Sequence, residues 1–558
     1  MEIDNAEYMI NQLMNEVNKE LLGNPEEATQ DPDDENLYKQ PIYYFNQAMY
    51  KRELILTIPN TYTHVRIYDN EKKKYLDCEL IRFENSRNVL YVSVEIGGLT
   101  LKTLTLEYSI LKSIDHEATV LQSQEFNQTF FRTNHYAITL KNNTLIESLT
   151  SLTTQKTIHL DQQFNFYNNT KSGIYIFKPE DHKYDINYAP TTSSIYSGSL
   201  ITVIKSKSKD DISQSITIFH SGDMRISPLI ETTVKPWAYT ELGFSMNTTE
   251  VGPNHQFYNH DSNEWRRRYF RTINEFNETG KNIYPVIHGY AVKSEDTVFG
   301  IVNNYPTGCG YVTNDQEQIQ CFLTRNTAYD DDKGLPDMLV DRKAVTFSYF
   351  LNYGSEKLFS SQFLLLSDYF NLPLTSKIER EDAFTLMNMN QAILCMFPEE
   401  QEVHNFDNKD YFYSGASFSL LKTQQFGPEI ELLDMFQTHK RGVDSNFVRI
   451  RNRQQKGLFG DYILGGDVSL NLRDSFIFDL EGDFKYTLSG LSSQPVHKGK
   501  YTILTNLDRD IIKKSMKLFQ AGYHYMKDDI FKFQCELNGS ATLQPKEIAT
   551  LKLLGSKR

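Results

Sequence analysis

Cysteine and tryptophan are scarce in this chain, which has five cysteines and two tryptophans among 558 residues. No two cysteines have the Cys-x-x-Cys spacing of zinc knuckles and redox motifs. The scattered cysteines also do not indicate the disulfide framework of a small secreted domain. We therefore expect buried, apolar thiols at all of these positions, which are Cys78, Cys309, Cys321, Cys395 and Cys535.

Long apolar runs and an excess of positive charge are also missing. No stretch approaches the roughly 20 apolar residues that a membrane-spanning helix needs, so we predict no membrane span. The net charge of −14 argues against nucleic acid as a partner. Met1 is followed by Glu2, Asp4 and Glu7, so we expect no secretory signal at this terminus. The sequence leaves the compartment open.

The chain does contain enough apolar sequence for several domains, with 39% hydrophobic and 23% charged residues. Residues 1–22 carry one apolar stripe at helical spacing, and Gly23 and Pro25 follow it, so we predict an N-terminal helix. Residues 23–39 include the acidic run from Asp31 to Glu35 and are predicted to be a solvated linker.

From residue 40 onward the dominant pattern is the two-residue alternation of β-strands. Val89 to Ile96 and Leu104 to Ile110 alternate closely, which predicts a small β-sandwich over residues 40–113. Residues 114–400 are predicted to form a large β-sandwich without a long amphipathic helix, and residues 401–558 a further β-rich domain. The predicted fold class is therefore mainly β after the N-terminal helix.

Two stretches within these β-regions are assigned less regular structure. Lys205 to Asp211 is rich in charge and is predicted to be a solvent-facing loop. The segment from Asp508 to Met526 fits either a short helix or an irregular loop, and its pattern does not decide between them.

The most informative stretch runs from Asp161 to Pro179. Phe164 and Phe166 alternate with polar neighbours, a turn cluster spans Asn168 to Gly173, and Ile174 to Phe177 has strand composition. Periodicity alone predicts an ordinary hairpin. The stretch also resembles the signature at the start of the large β-domain in α-mannosidases of glycoside hydrolase family 38, lysosomal type.

Further matches to this family follow in the family's own order. They extend the resemblance from about Gln40 to the C-terminus, and all of them lie in the non-catalytic part of such an enzyme. The matching segments are Gln256-Phe257-Tyr258 to Asn263, Arg266-Arg267-Arg268, Tyr284-Pro285-Val286, Asp330-Asp331-Asp332-Lys333-Gly334, Ser469 to Phe476 and Leu543 to Ile548.

The resemblance implies an architecture for each part of the chain. Residues 40–113 would be a small immunoglobulin-like sandwich, 114–400 a large galactose-mutarotase-like sandwich, and 401–558 a C-terminal β-domain. The N-terminal helix would be a remnant of the family's helical bundle. A lysosomal or vacuolar location is implied in the same way, although no signal peptide is predicted.

The family's catalytic residues have no counterpart here. The resemblance implies a retaining glycosidase with two carboxylates and a zinc ion held by His and Asp. The motifs His-x-Asp-x-Gly-Trp and Asp-Pro-Phe-Gly are absent, and His159-Leu160-Asp161 is followed by glutamines. The thirteen histidines are dispersed. We therefore expect no catalytic residue, metal ligand or cofactor in this chain, and whether it is an enzyme stays open.

Two residues are candidates for a substrate-binding rim, by resemblance alone. The family's β-domain lends a tyrosine and an arginine to the sugar pocket, and these positions correspond to Tyr175 and Lys333. Lysine keeps the charge but lacks the planar fork of arginine, and the family's His-Arg-Arg segment is Thr324-Arg325-Asn326 here. The alternative for Tyr175 is a strand aromatic in the core. The run Asp330 to Asp332 beside Lys333 is predicted to be a solvated acidic turn and not a calcium loop, because the Gly and Glu spacing of an EF-hand is missing.

Three functions follow from this interpretation. The chain is either the C-terminal part of an α-mannosidase, a carbohydrate-binding pseudoenzyme, or a structural module that docks a partner through its acidic linker and N-terminal helix. The corresponding partners are a mannoside glycan, a catalytic mannosidase domain, or a second copy of the chain.

Overall fold

The computed structural model describes residues 29–377 with short gaps, and several segments beyond them. The gaps are 32–33, 61, 84–87, 110, 126–127, 142–143, 170–171, 176, 179–182, 187, 210, 249–255, 262–264, 270–278, 295–296, 312–318, 328, 331, 335–338 and 340–342. The later segments are 418–419, 427–428, 430–440, 443–453, 468–471, 485–489, 540–543 and 548–554. The helix predicted for residues 1–22 and the segment 508–526 lie outside the described residues.

The described chain is mainly antiparallel β-structure, which confirms the predicted fold class. Its first strands are β1 (Thr29–Asp31), β2 (Asp34–Asn46), β3 (Arg52–Asn60), β4 (His64–Asp69), β5 (Lys74–Tyr75), β6 (Cys78–Ile81), β7 (Asn88–Ile96), β8 (Thr100–Ser109), β9 (Thr119–Leu121) and β10 (Gln124–Glu125).

The linker predicted for residues 23–39 is wrong from Thr29 onward, because β1 and the first half of β2 occupy that stretch. Two carboxylates of the acidic run are paired with lysines: Lys39 Nζ lies 2.6 Å from Asp31 Oδ2, and Lys112 Nζ lies 2.9 Å from Asp34 Oδ2. The acidic composition therefore did not exclude strand formation here.

Two sheets form a small sandwich in this region. One has the order β1-β2-β8-β4-β5, and the other has the order β3-β7-β6-β9. The alternation predicted from Val89 to Ile96 is confirmed, because Leu90, Val92 and Val94 of β7 are buried in the shared core. The domain limits remain a prediction.

A larger sandwich follows. Its strands are β11 (Phe130–Arg132), β12 (Tyr136–Leu140), β13 (Ile146–Ser151), β14 (Lys156–His159), β15 (Asp161–Asn168), β16 (Lys183–Ile186), β17 (Pro190–Ser197), β18 (Ile201–Ser208), β19 (Ile212–Phe219), β20 (Leu229–Val234), β21 (Thr240–Asn247), β22 (Gln256–His260), β23 (Trp265–Arg268), β24 (Ile283–Val286), β25 (Gly289–Lys293), β26 (Val298–Asn303), β27 (Thr307–Tyr311), β28 (Ile319–Arg325) and β29 (Val345–Gly354). Two 3₁₀ turns, Asp223–Ile226 and Thr279–Asn282, interrupt the series.

These strands form a ten-stranded sheet, β10-β17-β18-β19-β20-β29-β26-β25-β22-β23, and a six-stranded sheet, β16-β15-β21-β28-β27-β24. A four-stranded sheet, β11-β12-β13-β14, contributes to the same core. Ile204, Ile216 and Ile230 of the ten-stranded sheet share this core with Phe164 and Phe244 of the six-stranded sheet.

The loop predicted for Lys205 to Asp211 is wrong in its first half, because β18 continues to Ser208. Lys205 follows the core residue Ile204, so its side chain lies on the opposite face of the sheet. The charged residues of this stretch therefore continue the alternation of the strand and do not end it.

An α-helix follows β29, so the prediction of a large sandwich without a long amphipathic helix is wrong in this stretch. This helix, α1 (Glu356–Asn371), begins at Ser355, whose Oγ accepts a hydrogen bond from the Leu358 amide at 3.3 Å. Phe359, Phe363 and Leu366 are buried at helical spacing, which is the periodicity that indicates an amphipathic helix. No helix among the described residues is long and apolar enough to cross a membrane.

The remaining strands lie in the C-terminal part, where β-structure is also present among the described segments. They are β30 (Thr375–Lys377), β31 (Phe418–Ser419), β32 (Ile430–Lys440), β33 (Val443–Asn452), β34 (Val468–Asn471), β35 (Lys485–Ser489), β36 (Ser540–Leu543) and β37 (Ile548–Leu554). Strands β30 and β31 join the first sheet of the small sandwich, and β32-β33-β37-β35 form a sheet of their own.

The cysteine prediction is wrong for one pair, because Cys309 and Cys321 form a disulfide. The two residues are directly opposite each other on β27 and β28, with their Cα atoms 4.1 Å apart. Their sequence separation gave no indication of this register. Cys78 is a buried free thiol, as predicted, and Cys395 and Cys535 lie outside the described residues.

Candidate functional site

Tyr175 lies in a loop and not in the predicted strand. The chain leaves β15 at Asn168 and bends at Ile174 and Tyr175, and among the described residues the next strand begins at Lys183. Tyr175 is 60% exposed, so the alternative of a core aromatic is excluded. The prediction of a strand over 174–177 is wrong for these two bend residues.

Polar side chains within the loop explain this conformation. Asn169 Oδ1 accepts a hydrogen bond from the Ser172 amide at 3.2 Å, and Ser172 Oγ accepts one from the Lys178 amide at 2.7 Å. Both side chains are almost fully buried. They satisfy backbone groups that a strand would pair with a neighbouring strand, so the segment remains a loop despite its strand composition.

Arg325, the last residue of β28, holds the loop in place. Its guanidinium donates to the Gly173 carbonyl at 2.8 Å and to the Ile174 carbonyl at 3.3 Å. The guanidinium carbon also lies 5.1 Å from the ring centroid of Phe177. The backbone on the N-terminal side of Tyr175 is therefore fixed by a charged donor from the sheet.

Glu241 supports the arginine from beneath. Its Oε1 accepts hydrogen bonds from Arg325 Nε at 3.1 Å and from Asn169 Nδ2 at 2.8 Å. Burial raises the pKa of Glu241 to about 8, against the opposing effect of the Arg325 charge. Among the described atoms, its Oε2 has no hydrogen-bond partner.

Lys333 is exposed in a turn that follows β28. Asp332 donates its amide to Asp330 Oδ1 at 2.8 Å, and Asp332 and Gly334 both have positive φ values, of 55° and 99°. Asp330 and Asp332 are exposed, so the solvated acidic turn predicted here is confirmed for these residues.

The strand order brings the Tyr175 and Lys333 loops to one end of the six-stranded sheet. Strands β15 and β28 are both antiparallel to β21, so they run in the same direction, and each loop follows the final residue of its strand. The register pairs Asn168 with Thr240, and Glu241 with Arg325, at this same end.

Exposed tyrosines are concentrated at this end, which we call the tyrosine end. Tyr239 precedes β21 and is 57% exposed, Tyr184 lies at the start of β16, and Tyr329 follows β28. Tyr239 has a φ of 56°, a left-handed conformation that is uncommon for a bulky residue. The sequence reading did not identify these tyrosines or Glu241, because their common position depends on strand register.

The three consecutive arginines of the family match, Arg266 to Arg268, lie in a strand. Residues Trp265–Arg268 form β23, and Arg268 Nε donates to Asn259 Oδ1 at 2.6 Å on the neighbouring strand.

Among the described residues, no three His, Cys, Asp or Glu side chains come together to hold a metal ion.

Comparison with known proteins supports the resemblance in both sequence and fold. The chain is 22% identical over 354 residues to α-mannosidase 2 of Spodoptera frugiperda, an alignment that covers 55% of this chain and 31% of that protein. No family profile matches the chain. The chain is thus α-mannosidase-like in sequence over about half its length.

Solved structures of Enterococcus faecalis proteins share the fold. One is a protein of glycosyl hydrolase family 38, and another is an α-mannosidase; each has a TM-score of 0.52 and 11% identity, and each covers 92% of this chain. This chain spans 58% and 56% of the two structures, and about a third of the curated relative.

Proposed function

We propose that this chain is the non-catalytic β-part of an α-mannosidase-like glycoside hydrolase, and that its tyrosine end forms part of the rim of a mannoside-binding pocket. The observation that carries the proposal is that the loops of Tyr175 and Lys333 follow strands that end at the same end of one sheet, among further exposed tyrosines. The similarity to α-mannosidase 2 supports the substrate class.

The chemistry of these groups suits a sugar. A tyrosine ring offers an apolar face and a hydroxyl that can donate or accept a hydrogen bond. A lysine ammonium adds three donors that can bind sugar hydroxyls. Because Arg325 fixes the backbone beside Tyr175 before any ligand arrives, less conformational entropy would be lost on binding.

The absence of the family's catalytic motifs supports a rim that does not itself cleave the glycosidic bond. Retaining hydrolysis needs two carboxylates about 5 Å apart on either side of that bond. Glu241 is the strongly perturbed carboxyl of this end, but it is fully buried beneath Arg325 and cannot contact a ligand there. The bond-cleaving residues would belong to a separate catalytic domain.

The test compares the isolated chain with the assembly purified from its source through an affinity tag on the chain. Hydrolysis of p-nitrophenyl α-mannoside is measured for both, with zinc added in a parallel series. We expect hydrolysis by the native assembly, none by the isolated chain, and a raised KM in the assembly for Tyr175→Ala. Turnover by the isolated chain would disprove the non-catalytic assignment.

The alternative of a carbohydrate-binding pseudoenzyme gives a different result. In that case the native material would bind the mannoside without hydrolysing it, and Tyr175→Ala would weaken binding. Native material with neither binding nor hydrolysis would contradict both functions and would leave only the shared fold.

A further inference from the structure

A cavity of about 880 Å³ lies between the small sandwich and the ten-stranded sheet. Its floor is formed by β17, β18, β19 and β20, and its wall includes β7 and the residues that follow β6. The volume is within the range of about 300–1,000 Å³ that small-molecule sites occupy. The cavity is on the face of the ten-stranded sheet that points away from the six-stranded sheet, so it is separate from the tyrosine end.

Two adjacent rows of polar side chains cross the strands of the cavity floor. The strand register places Ser194 beside Lys205, Lys205 beside Ser215, and Ser215 beside Glu231, in one row across four strands. The adjacent row, two residues further along each strand, is also wholly polar and contains Thr192, Lys207, Ser213 and Thr233. Hydroxyl groups therefore dominate the floor of a partly open cavity.

The wall of the cavity is aromatic. Phe83, Tyr91 and Tyr196 line it, and the rings of Phe83 and Tyr196 meet edge to face with their centroids 5.5 Å apart. Lys205 Nζ lies 3.4 Å from the centroid of the Phe83 ring. Lys205 therefore covers a face of the Phe83 ring, and a ligand here would have this partly covered aromatic cluster on one side and hydroxyl groups on the other.

The two charged residues of the cavity that are not exposed, Lys205 and Glu231, have opposite signs and are separated. Lys205 and Glu231 are two strands apart in the same row, which places their Cα atoms roughly 10 Å from each other. An anion would face the Glu231 carboxylate, and a cation would face the Lys205 ammonium. A neutral group with hydroxyls can accept from the lysine and donate to the glutamate at once.

We propose that this cavity is a second binding site, and that it takes a neutral short oligosaccharide. Sugar rings combine apolar C–H faces with a rim of hydroxyls, which matches the aromatic wall and the polar floor. The cations Arg82 and Lys207 that also line the cavity are exposed, so salt screens them. The inference does not rest on the proposed function.

The test measures binding of mannotriose, a neutral probe, to the full chain by calorimetry and by hydrogen exchange. We expect binding that protects the backbone of residues 203–207 and 213–217 and leaves residues 172–175 unchanged. The acidic trisaccharide of galacturonate is the comparison probe, and preferred binding of this acid would overturn the proposal.

Variants then locate the site. Glu231→Gln should weaken mannotriose binding roughly tenfold to a hundredfold, the range for loss of a charge-assisted hydrogen bond. Ser215→Phe fills the floor and should abolish binding, with circular dichroism confirming an unchanged fold. The matched control is Glu147→Gln, an exposed glutamate on β13, which should have no effect.

The outcomes distinguish sugar binding in the cavity from sugar binding at the tyrosine end. Binding that is lost in Tyr175→Ala and kept in Glu231→Gln would place the sugar at the tyrosine end and refute the cavity site. No binding to the wild-type chain at millimolar mannotriose would also refute it, whatever the mannosidase assays show.

Discussion

Replacing Arg325 by alanine tests whether the tyrosine end is held as the structure indicates. The change removes the hydrogen bonds to the Gly173 and Ile174 carbonyls and the one to Glu241. At about 1 kcal/mol of net free energy for each bond, we expect the free energy of unfolding of the six-stranded sheet to fall by roughly 3 kcal/mol at pH 6.

The loss should be larger at pH 9, because Glu241 titrates between these pH values. Its folded-state pKa of about 8 is raised above the usual 4.5, so its contribution to stability is complete below pH 4.5 and is lost as pH rises through 8. At pH 9, one unit above its pKa, the Glu241 carboxyl of the wild-type protein is mostly ionised. Ionisation beside Arg325 makes the folded state about 1.4 kcal/mol more stable than it would be with a carboxyl that stayed protonated. Without Arg325 the carboxyl stays protonated and this stabilisation is absent, so the total loss should reach roughly 4 kcal/mol.

The assay is urea-dependent pulse proteolysis at pH 6 and pH 9, with cleavage sites assigned by mass spectrometry so that the sheet is followed separately from other regions. Arg267→Ala removes an exposed arginine of β23 and serves as the control, with an expected change within about 0.5 kcal/mol at both pH values. In the Glu241→Gln background, the loss from Arg325→Ala should no longer depend on pH. An equal loss at both pH values in the wild-type background would refute the role given to Glu241.

Three further predictions concern stability and the rim. Replacing Cys309 and Cys321 by serine should destabilise the six-stranded sheet by about 3 kcal/mol from the chain entropy of the closed loop, and a reductant should lower the urea midpoint of the wild-type chain but not of the variant. Asp368→Asn weakens the ion pair with Arg453, whose Nη1 lies 2.6 and 2.7 Å from the two carboxylate oxygens, so thermal unfolding should show a loss of roughly 3 kcal/mol. Tyr175→Ala should change stability by less than about 0.5 kcal/mol, since the side chain is mostly exposed, and circular dichroism during heating should show an unchanged midpoint.

The strands were predictable where one face of the alternation is apolar throughout. Strand β7 satisfies this condition, because Leu90, Val92 and Val94 are all buried. This condition is not met where a strand that faces a cavity carries charged side chains. Lys205 and Lys207 in β18 therefore resembled a loop in sequence, although the two-residue period continues through them.

Other features depend on contacts that are distant in sequence. The loop at Tyr175 depends on Arg325, and the disulfide of Cys309 depends on the pairing of β27 with β28. The family resemblance identified Tyr175 and Lys333 as candidates. It did not identify Glu241, because this residue acts through Arg325 and Asn169 and matches no motif.

The arrangement around Glu241 includes features that reduce the stability of the fold. Such features are unexpected in a region whose only role is structural. The carbonyls of Gly173 and Ile174 lie in a loop and accept hydrogen bonds from the guanidinium of Arg325. Placing Glu241 beneath that arginine leaves one buried carboxyl oxygen without a partner among the described atoms, and such a group costs about 1–3 kcal/mol or more. The left-handed backbone of Tyr239 at the same end adds strain. Costs of this kind, concentrated at one end of a sheet, are more common at binding sites than in purely structural regions, which favours a ligand-binding role for the tyrosine end over a purely structural one.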